Sequence, residues 1–358
     1  MRLLFVTQKL DADDPVLAQS VDLVRELAAR FERVDVLSDS VGRHDAAENV
    51  RVRTFGSRTK VGRGVRFVRG AAVSLLPQAS RPDAVVAHMV PQYVHLIAPL
   101  AMPLRVPILL WYTHWHASRP LRAALPLVRS VLSVSPGSFP LETPKLVPTG
   151  HAIDVETFAP GEPRARGRLR LLALGRTARW KGYETMLDGL ERAVAQGLDV
   201  ELEIRGPQLT ADERSHADEL RQRVAASAVL RERVRIEPAL PRGALPELLR
   251  GADALLSATQ PRGSETLDKV VYEAAATGLP VVASNTALAE FLADLPLDLA
   301  FPAHDGDALA DRLLALAAAT PEIRRETGLE LRRRVVDGHS VGSWADAVAR
   351  IVTDVTPE

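Results

Sequence analysis

The stretch that most constrains the fold is residues 257–285, SATQPRGSETLDKVVYEAAATGLPVVASN. It is entered from an apolar run at 253–259, short and continuous as in a strand buried on both faces. A loop with Pro261, Gly263 and Ser264 follows. A helix then turns Val270, Val271, Ala274 and Ala275 inward and stops at Gly278. Residues 279–284 are the next buried strand. Strand, helix and strand joined by short loops make a parallel sheet.

Two carboxylates in this unit, Glu265 and Glu273, stand eight residues apart. On one helix that spacing is a rise of about 12 Å and an offset of roughly 80°, so both face one cleft. The rise is comparable to the distance between the sugar and the ribose of a nucleotide sugar. A diphosphate lies between those two, and a helix N-terminus offers its free N–H groups to anions. One helix would then hold hexose hydroxyls with Glu265, phosphates near Thr266 and ribose hydroxyls with Glu273. The alternative is a pair of solvated helix glutamates, and spacing by itself favours that alternative.

A length of 358 residues with 46% apolar side chains suits two domains, each with its own core. Zero net charge gives no general attraction to nucleic acid. The absence of cysteine removes disulfides and thiolate metal sites. The opening MRLLFVT is too short for a signal peptide and leads into Asp11, Asp13 and Asp14. The most apolar stretch, 96–112, is broken by Pro99, Pro103, Arg105 and Pro107, which suits no bilayer span. The expectation is a soluble cytoplasmic protein. With 40 arginines against five lysines, Lys181 and Lys269 stand out as places where a compact charge is needed.

In chain order, 2–7 reads as the first strand, 8–15 as a loop, 16–30 as a helix, and 33–37 and 50–55 as further strands. The first loop lacks GxGxxG, so a dinucleotide fingerprint is absent. It carries Lys9, Asp11, Asp13 and Asp14 instead, and reads either as a solvated loop or as one facing a cleft at a strand's carboxyl end. Residues 51–81 hold eight cations and no acid. Within them the Gly-punctuated segment from Arg58 to Arg69 suits an anionic lipid surface or acceptor, or a solvated helix face. The strand 82–88 ends in His88 and the strand 107–114 ends in His114. Strand ends bind ligands in open α/β sheets, which makes both histidines site candidates. Strands at 130–135 and 145–150 finish the first sheet, and the Pro/Gly-rich 160–167 reads as a linker.

The second half restarts the pattern with strands at 169–175, 200–206 and 234–237, and a helix at 183–195. Arg176 and Lys181 straddle the loop after its first strand, in reach of diphosphate oxygens. Gly206 and the residues from Ala239 to Arg242 are candidates for base recognition. Helices follow at 307–318, 321–336 and 341–352, the last crossing back to the first domain. The expected division is 1–158, 159–338 and a returning helix at 339–358.

Gly175-Arg176, Lys181-Gly182 and Glu265-x7-Glu273 within GSETLDKVVYEAAATGLPVVAS resemble, in order and spacing over about 169–285, the donor half of glycosyltransferase family 4. Residues 150–154, GHAID, are similar to the family's domain-junction motif, which has glycine at the position of Ala152. The resemblance implies a GT-B fold, two Rossmann-like parallel-sheet domains facing across a cleft, and a retaining transfer from a nucleoside-diphosphate sugar. It implies that Arg176 and Lys181 bind the diphosphate and stabilise the leaving group. It also implies that Glu265 grips sugar hydroxyls, Glu273 the ribose, and the backbone of Ser264, Thr266 and Leu267 the phosphates, with His114 beside the reacting centre. Many members have a Gly-rich loop after the first strand. The acidic loop here departs from that pattern, and puts Lys9, Asp13, Asp14 and His88 forward as contacts for a carbohydrate or small-molecule hydroxyl acceptor.

The expected chemistry is front-face attack, with positioning and charge stabilisation by Arg176, Lys181 and helix amides. No cofactor and no obligatory metal are expected, since those cations take a divalent ion's place. Two rivals stand beside it. One is an inverting GT-B enzyme or epimerase using His114 as base. The other is a catalytically idle nucleotide-sugar-binding subunit or sensor.

Overall fold

The computed structural model describes residues 1–14, 17–114, 116–162, 167–260 and 268–355. The chain forms two compact units, one built from 1–154 with 338–358, the other from the intervening residues. The first contains β1 (Arg2–Leu10), α1 (Gln19–Ala28), β2 (Arg33–Val41), β3 (Val50–Thr54), α2 (Lys60–Leu75), β4 (Ala84–His88), α3 (Pro91–Ala101), β5 (Ile108–Trp111), α4 (Arg119–Ala124), β6 (Ser130–Ser133) and β7 (Leu146–Pro148). Its strands are parallel, in the order β3-β2-β1-β4-β5-β6-β7.

The side-chain period of two divides β1 between two cores. Leu4 and Val6 enter the core under α2 and α3, while Leu3 and Phe5 enter the one on the opposite face. The strand runs three residues further than its sequence suggests. Lys9 and Leu10 pair with Ser40 and Val41 of β2, so ladder bonds override their polar neighbours. Lys9 is therefore a strand residue and not part of the loop.

The second unit contains β8 (Leu169–Leu174), α5 (Tyr183–Ala195), β9 (Val200–Arg205), α6 (Ala211–Ala226), α7 (Ala228–Arg233), β10 (Val234–Glu237), α8 (Leu245–Arg250), β11 (Ala254–Ser257), α9 (Lys269–Ala276), β12 (Val281–Ala283), α10 (Ala289–Leu292), α11 (Gly306–Ala318) and most of α12 (Pro321–His339). Its parallel order is β10-β9-β8-β11-β12. Here β9 alternates: Val200, Leu202 and Ile204 are buried, whereas Glu201, Glu203 and Arg205 are half-exposed. Arg332 ties the start of the unit in place, donating to the carbonyls of Val155, Phe158 and Ala276.

The last helix, α13 (Val341–Val355), packs in the first unit. Trp344, Ala345, Val348 and Val352 make a 3–4 spaced stripe buried in the core that holds Leu3 and Phe5. Ile153 and Ser340 form a parallel bridge beside it. At the junction motif Gly150 has φ +72°, and a Cβ there would lie 2.1 Å from the Gly338 carbonyl oxygen. Ala152 takes φ +56°, a left-handed conformation that costs an L-residue roughly 1–2 kcal/mol and that glycine adopts freely.

α9 fixes the place of Glu273. The helix begins at Lys269, with Asp268 extended at its N-cap, so Glu273 stands in its second turn. Glu265, Ser264, Thr266 and Leu267 lie outside the described residues.

Candidate functional site

In open α/β sheets, ligands bind where the strand order reverses, beyond the carboxyl ends of the strands. In the second unit that point lies between β8 and β11. β8 runs into Gly175, the residue after its last, whose φ of +148° suits glycine. The missing side chain leaves room for Lys181, whose Nζ lies 3.3 Å from where a Cβ would stand. Gly206, at the end of the adjacent β9, is held by packing. A Cβ there would fall 1.6 Å from the Gly175 carbonyl oxygen. Gly182 closes the turn at φ +67°, with a Cβ position 2.2 Å from the Ala258 carbonyl oxygen, so the turn is pressed against the end of β11.

Other side chains hold this turn rigid. The Tyr183 hydroxyl donates to the Gly175 carbonyl at 3.0 Å. His216, fully buried on α6, sits 3.1 Å from the Thr177 carbonyl and 2.8 Å from Glu184. Lys181 is buried under Trp180, with Nζ 4.6 Å from the ring centroid.

Both candidate cations have acidic partners that sequence reasoning missed. Lys181 pairs with Asp268, whose other oxygen accepts from the Thr259 hydroxyl. Arg176 pairs with Glu213, a buried residue that also accepts from the Leu209 amide at 2.6 Å. Thr210 and Glu213 form a capping box at the start of α6. Burial raises the Glu213 pKa, but the Leu209 amide and Arg176 outweigh it and hold the carboxyl below its ordinary range. The capping signal Thr-x-x-Glu was legible in the sequence. Nothing local announced Asp268, 87 residues from its partner.

Glu273 lies in the second turn of α9 and is 5% exposed. Arg242 donates to it at 2.9 Å and Lys269 stands 3.3 Å away, one helical turn back. Burial pushes this carboxyl up, but Lys269 and Arg242 prevail and keep it ionised below the usual value. Arg242 lies over the Phe158 ring at 5.5 Å. From Asp268 to Glu273 the helix rises about 7.5 Å.

In the first unit the reversal lies between β1 and β4. His88, the last residue of β4, is buried between Phe5 and Trp111, at ring distances of 5.6 and 4.9 Å. Its Nδ1 is 2.9 Å from the Thr7 hydroxyl. Burial above all lowers its pKa to about 3, so it is a neutral packing residue and not an exposed acceptor contact. His114 lies three residues past β5, exposed, with its ring edge-on to Tyr112 at 5.7 Å. Partial burial and His116 hold its pKa below the usual imidazole value.

The acids after β1 are paired too. Lys9 lies 2.7 Å from Asp14 and 3.8 Å from Asp11. Arg43 grips Asp13 with two bonds of 2.9 and 2.6 Å. Gly42 has no side chain where the Asp11 carboxyl packs. Among the described residues, no three His, Asp or Glu side chains converge as a metal site.

Comparison with known proteins fits this geometry. Residues 168–319 match the profile of the family described as Glycosyl transferases group 1. D-inositol 3-phosphate glycosyltransferase 1 of Catenulispora acidiphila is 33% identical over 156 residues, covering 39% of this chain and 36% of that one. D-inositol 3-phosphate glycosyltransferase of Corynebacterium glutamicum is 26% identical over 218 residues, 56% of this chain and 42% of its own. The matches thus span less than half the length of either relative. The structure of Anabaena Alr3699/HepE in complex with UDP and glucose superposes with a TM-score of 0.71 at 17% identity, over 98% of this chain and 99% of that one. The second unit is thus similar to Glycosyl transferases group 1, and the chain as a whole has the two-sheet GT-B fold. The family match covers the whole β8–β11 end, and so includes Arg176, Lys181 and Glu273.

Proposed function

We propose that the chain transfers a sugar from a nucleoside-diphosphate sugar to a hydroxyl of a glycan, a lipid-linked saccharide or a small metabolite, keeping the anomeric configuration. The observation that carries this reading is the β8–β11 end. There a buried lysine is fixed at the N-terminus of α9, and a buried carboxylate follows within two turns. An anion at a helix N-terminus meets free amides. The donor diphosphate would take the place of Asp268 at Lys181 and that of Glu213 at Arg176, and its ribose would bond to Glu273. UDP in the Anabaena structure makes UDP the first nucleotide to test. The names of the two relatives make a polyol phosphate one acceptor to test.

In this reading the bond from the anomeric carbon to the diphosphate oxygen breaks, and the acceptor oxygen bonds on the same face. The departing diphosphate takes the acceptor's proton. Arg176 and Lys181 offset the charge that develops on it, which is the largest contribution protein groups usually make. These two cations do the work of a divalent ion, so activity should survive chelation. His114 is assigned to the C6 side of the sugar, and the acidic residues after β1 to the acceptor. We place the protein in the cytoplasm. Among the described residues, no helix is long and apolar enough to cross a membrane.

A second reading follows from His114, which stays neutral and exposed and so can accept a proton as the base of an inverting enzyme. The anomeric configuration of the product separates the two. A third, the idle binding subunit, follows from the acids that occupy both cations, and neither transfer nor donor hydrolysis would then occur.

The first test is a thermal-shift series with UDP, GDP, ADP and dTDP on wild type and Glu273→Ala. At 100 times its dissociation constant, the right nucleotide adds about 2.7 kcal/mol of stability. A shift for one nucleotide that shrinks in the variant supports the assignment. No shift with any nucleotide rejects it.

A further inference from the structure

The backbone of the first unit is strained at the carboxyl end of β4. Met89, the residue after His88, has φ +64°, and the Val90 amide donates to the His88 carbonyl at 2.9 Å. A hydrogen bond from residue i to i+2 around a positive φ makes the rarer, strained form of γ-turn. Other non-glycine residues with positive φ have a local reason for it. Arg105 stops α3, where the Val106 amide reaches back to the Ala101 carbonyl at 3.0 Å. Asp294 and His304 are of residue types that tolerate this region. Met89 is neither a helix stop nor such a type. Its turn is held from outside, for the Met89 amide donates to the Trp111 carbonyl at 2.7 Å and Pro91 opens α3 two residues on. Glycine would take the same conformation freely.

Packing does not account for the side chain. Val90 joins the core under α2 and α3, whereas Met89 belongs to none of the three cores of described residues. It is half-buried, and the Thr113 hydroxyl donates to its sulfur at 3.3 Å. His114, the next residue along, is exposed. Met89, Thr113 and His114 thus stand together beyond the ends of β4 and β5, beside the reversal between β1 and β4 where ligands bind. Strained residues persist where their surroundings fix them, and they cluster at ligand sites. A thioether there is an adaptable apolar surface.

We propose that Met89 is a specificity-determining contact for the acceptor, its thioether packing against the apolar face of a polyhydroxylated six-membered ring. Such a ring turns C–H groups to its face and hydroxyls to its edge. Met89 meets the face, and the Thr113 oxygen, which can still accept, meets the edge. An acyclic polyol has the hydroxyls but no rigid apolar face. The inference deepens the acceptor half of the proposed function and rests on it, narrowing the acceptor group to a sugar or cyclitol ring.

The chain has four methionines, so a spectrum of the whole protein with labelled methionine methyl groups is simple, and the Met89 signal is assigned by its loss in Met89→Leu. The titrants are methyl glucoside, inositol and sorbitol. Saturable movement of the Met89 signal with methyl glucoside or inositol, and not with sorbitol, is expected, and the ring that acts separates a sugar from a cyclitol. Met89→Ala should weaken binding of that ring about tenfold, read from the ligand's own signals, while Met89→Leu retains it. Met89→Gly should weaken it equally yet melt above Met89→Ala, because glycine removes the backbone strain. A Met89 signal that neither ring moves, or that sorbitol moves as much, would overturn the proposal. So would unchanged binding in Met89→Ala, which would leave the turn as a joint between β4 and α3. No nucleotide is present in this titration, so its failure leaves the UDP assignment standing, and a failed UDP series leaves the ring titration to be judged by itself.

Discussion

The two units place their first strand ends at the same topological point and treat charge in opposite ways. After β1 come acids, each answered by a cation: Asp13 by Arg43 and Asp14 by Lys9. After β8 come cations, each answered by an acid: Arg176 by Glu213 and Lys181 by Asp268. The environments differ as much as the signs. Asp13 and Arg43 are solvated, whereas Lys181, Glu213 and Asp268 are largely covered. An exposed pair is screened and loses little when broken, while a covered pair leaves an uncompensated charge behind. The second end is therefore the more pre-organised one, while at the first the Asp13–Arg43 contact is free to vary with the ligand it meets.

The sharpest way to break this comparison is Lys181→Met. It should lower the rate of transfer or of donor hydrolysis about 10²–10³-fold, as loss of a charge-stabilising donor does. It should also destabilise the fold by roughly 3–5 kcal/mol, because Asp268 is left without its partner. Adding Asp268→Asn should restore the melting temperature but not the rate. A single variant that keeps both would place Lys181 among ordinary loop cations.

Acid should act on the first unit through a group that lies away from the exposed pairs. His88 has a folded pKa of about 3 against an ordinary value of 6.5. The unfolded chain therefore binds this proton first as pH falls. The stability present above pH 6.5 then declines by about 1.4 kcal/mol per pH unit until the folded pKa is reached. His339, lowered by burial to about 4, acts in the same direction over the upper part of that window. Denaturant melts from pH 7 to pH 5 measure the slope, and His88→Phe, which keeps a ring between Phe5 and Trp111, should remove one proton's share. An unchanged slope would mean that the histidine is hydrated and charged.

The parts of this design that were legible in the sequence share one property. They depend on neighbours along the chain. Buried apolar runs gave β4, β5, β8 and β11 to within a few residues, and the helix from Tyr183 to Ala195 was read at both ends from its periodicity and Gly182. The parallel α/β class followed from these runs, and the resemblance to glycosyltransferase family 4 from the spacing of Gly175, Arg176, Lys181, Glu265 and Glu273. What was not legible depends on contacts between distant residues. Ladder bonds to Ser40 and Val41 carried β1 through Lys9 and Leu10. Asp268 took the N-cap of α9 and paired with Lys181 across 87 positions. Arg242 reached Glu273 across 31 positions. His88 looked like a strand-end ligand, because a sequence shows the end of a strand but not the rings that cover it.

A smaller effect tests what the acid at Lys181 does. Asp268→Asn keeps an acceptor for Thr259 but removes the charge that a diphosphate would have to displace. UDP affinity should rise about tenfold, one carboxylate's competition being worth roughly 1–2 kcal/mol. The free protein should melt lower. Titration calorimetry at two salt concentrations checks both the gain and its electrostatic origin. Weaker binding would instead make Asp268 the group that holds Lys181 in its working position.

The smallest expected effect belongs to the exposed counterpart. Asp13→Asn breaks the doubly bonded contact with Arg43. That contact holds the Asp13 pKa below the ordinary carboxyl value, yet both groups are fully solvated, and water takes up the charges once they separate. The melting temperature and the UDP shift should therefore stay within measurement error. An acceptor that bonds to this carboxylate would bind less well, so its KM should rise several-fold at constant kcat, the pattern of binding lost equally from ground and transition states. Donor hydrolysis without acceptor should not change. An unchanged acceptor KM would reduce the residues after β1 to a solvated turn. A fall in stability like that of Lys181→Met would erase the difference between the two strand ends.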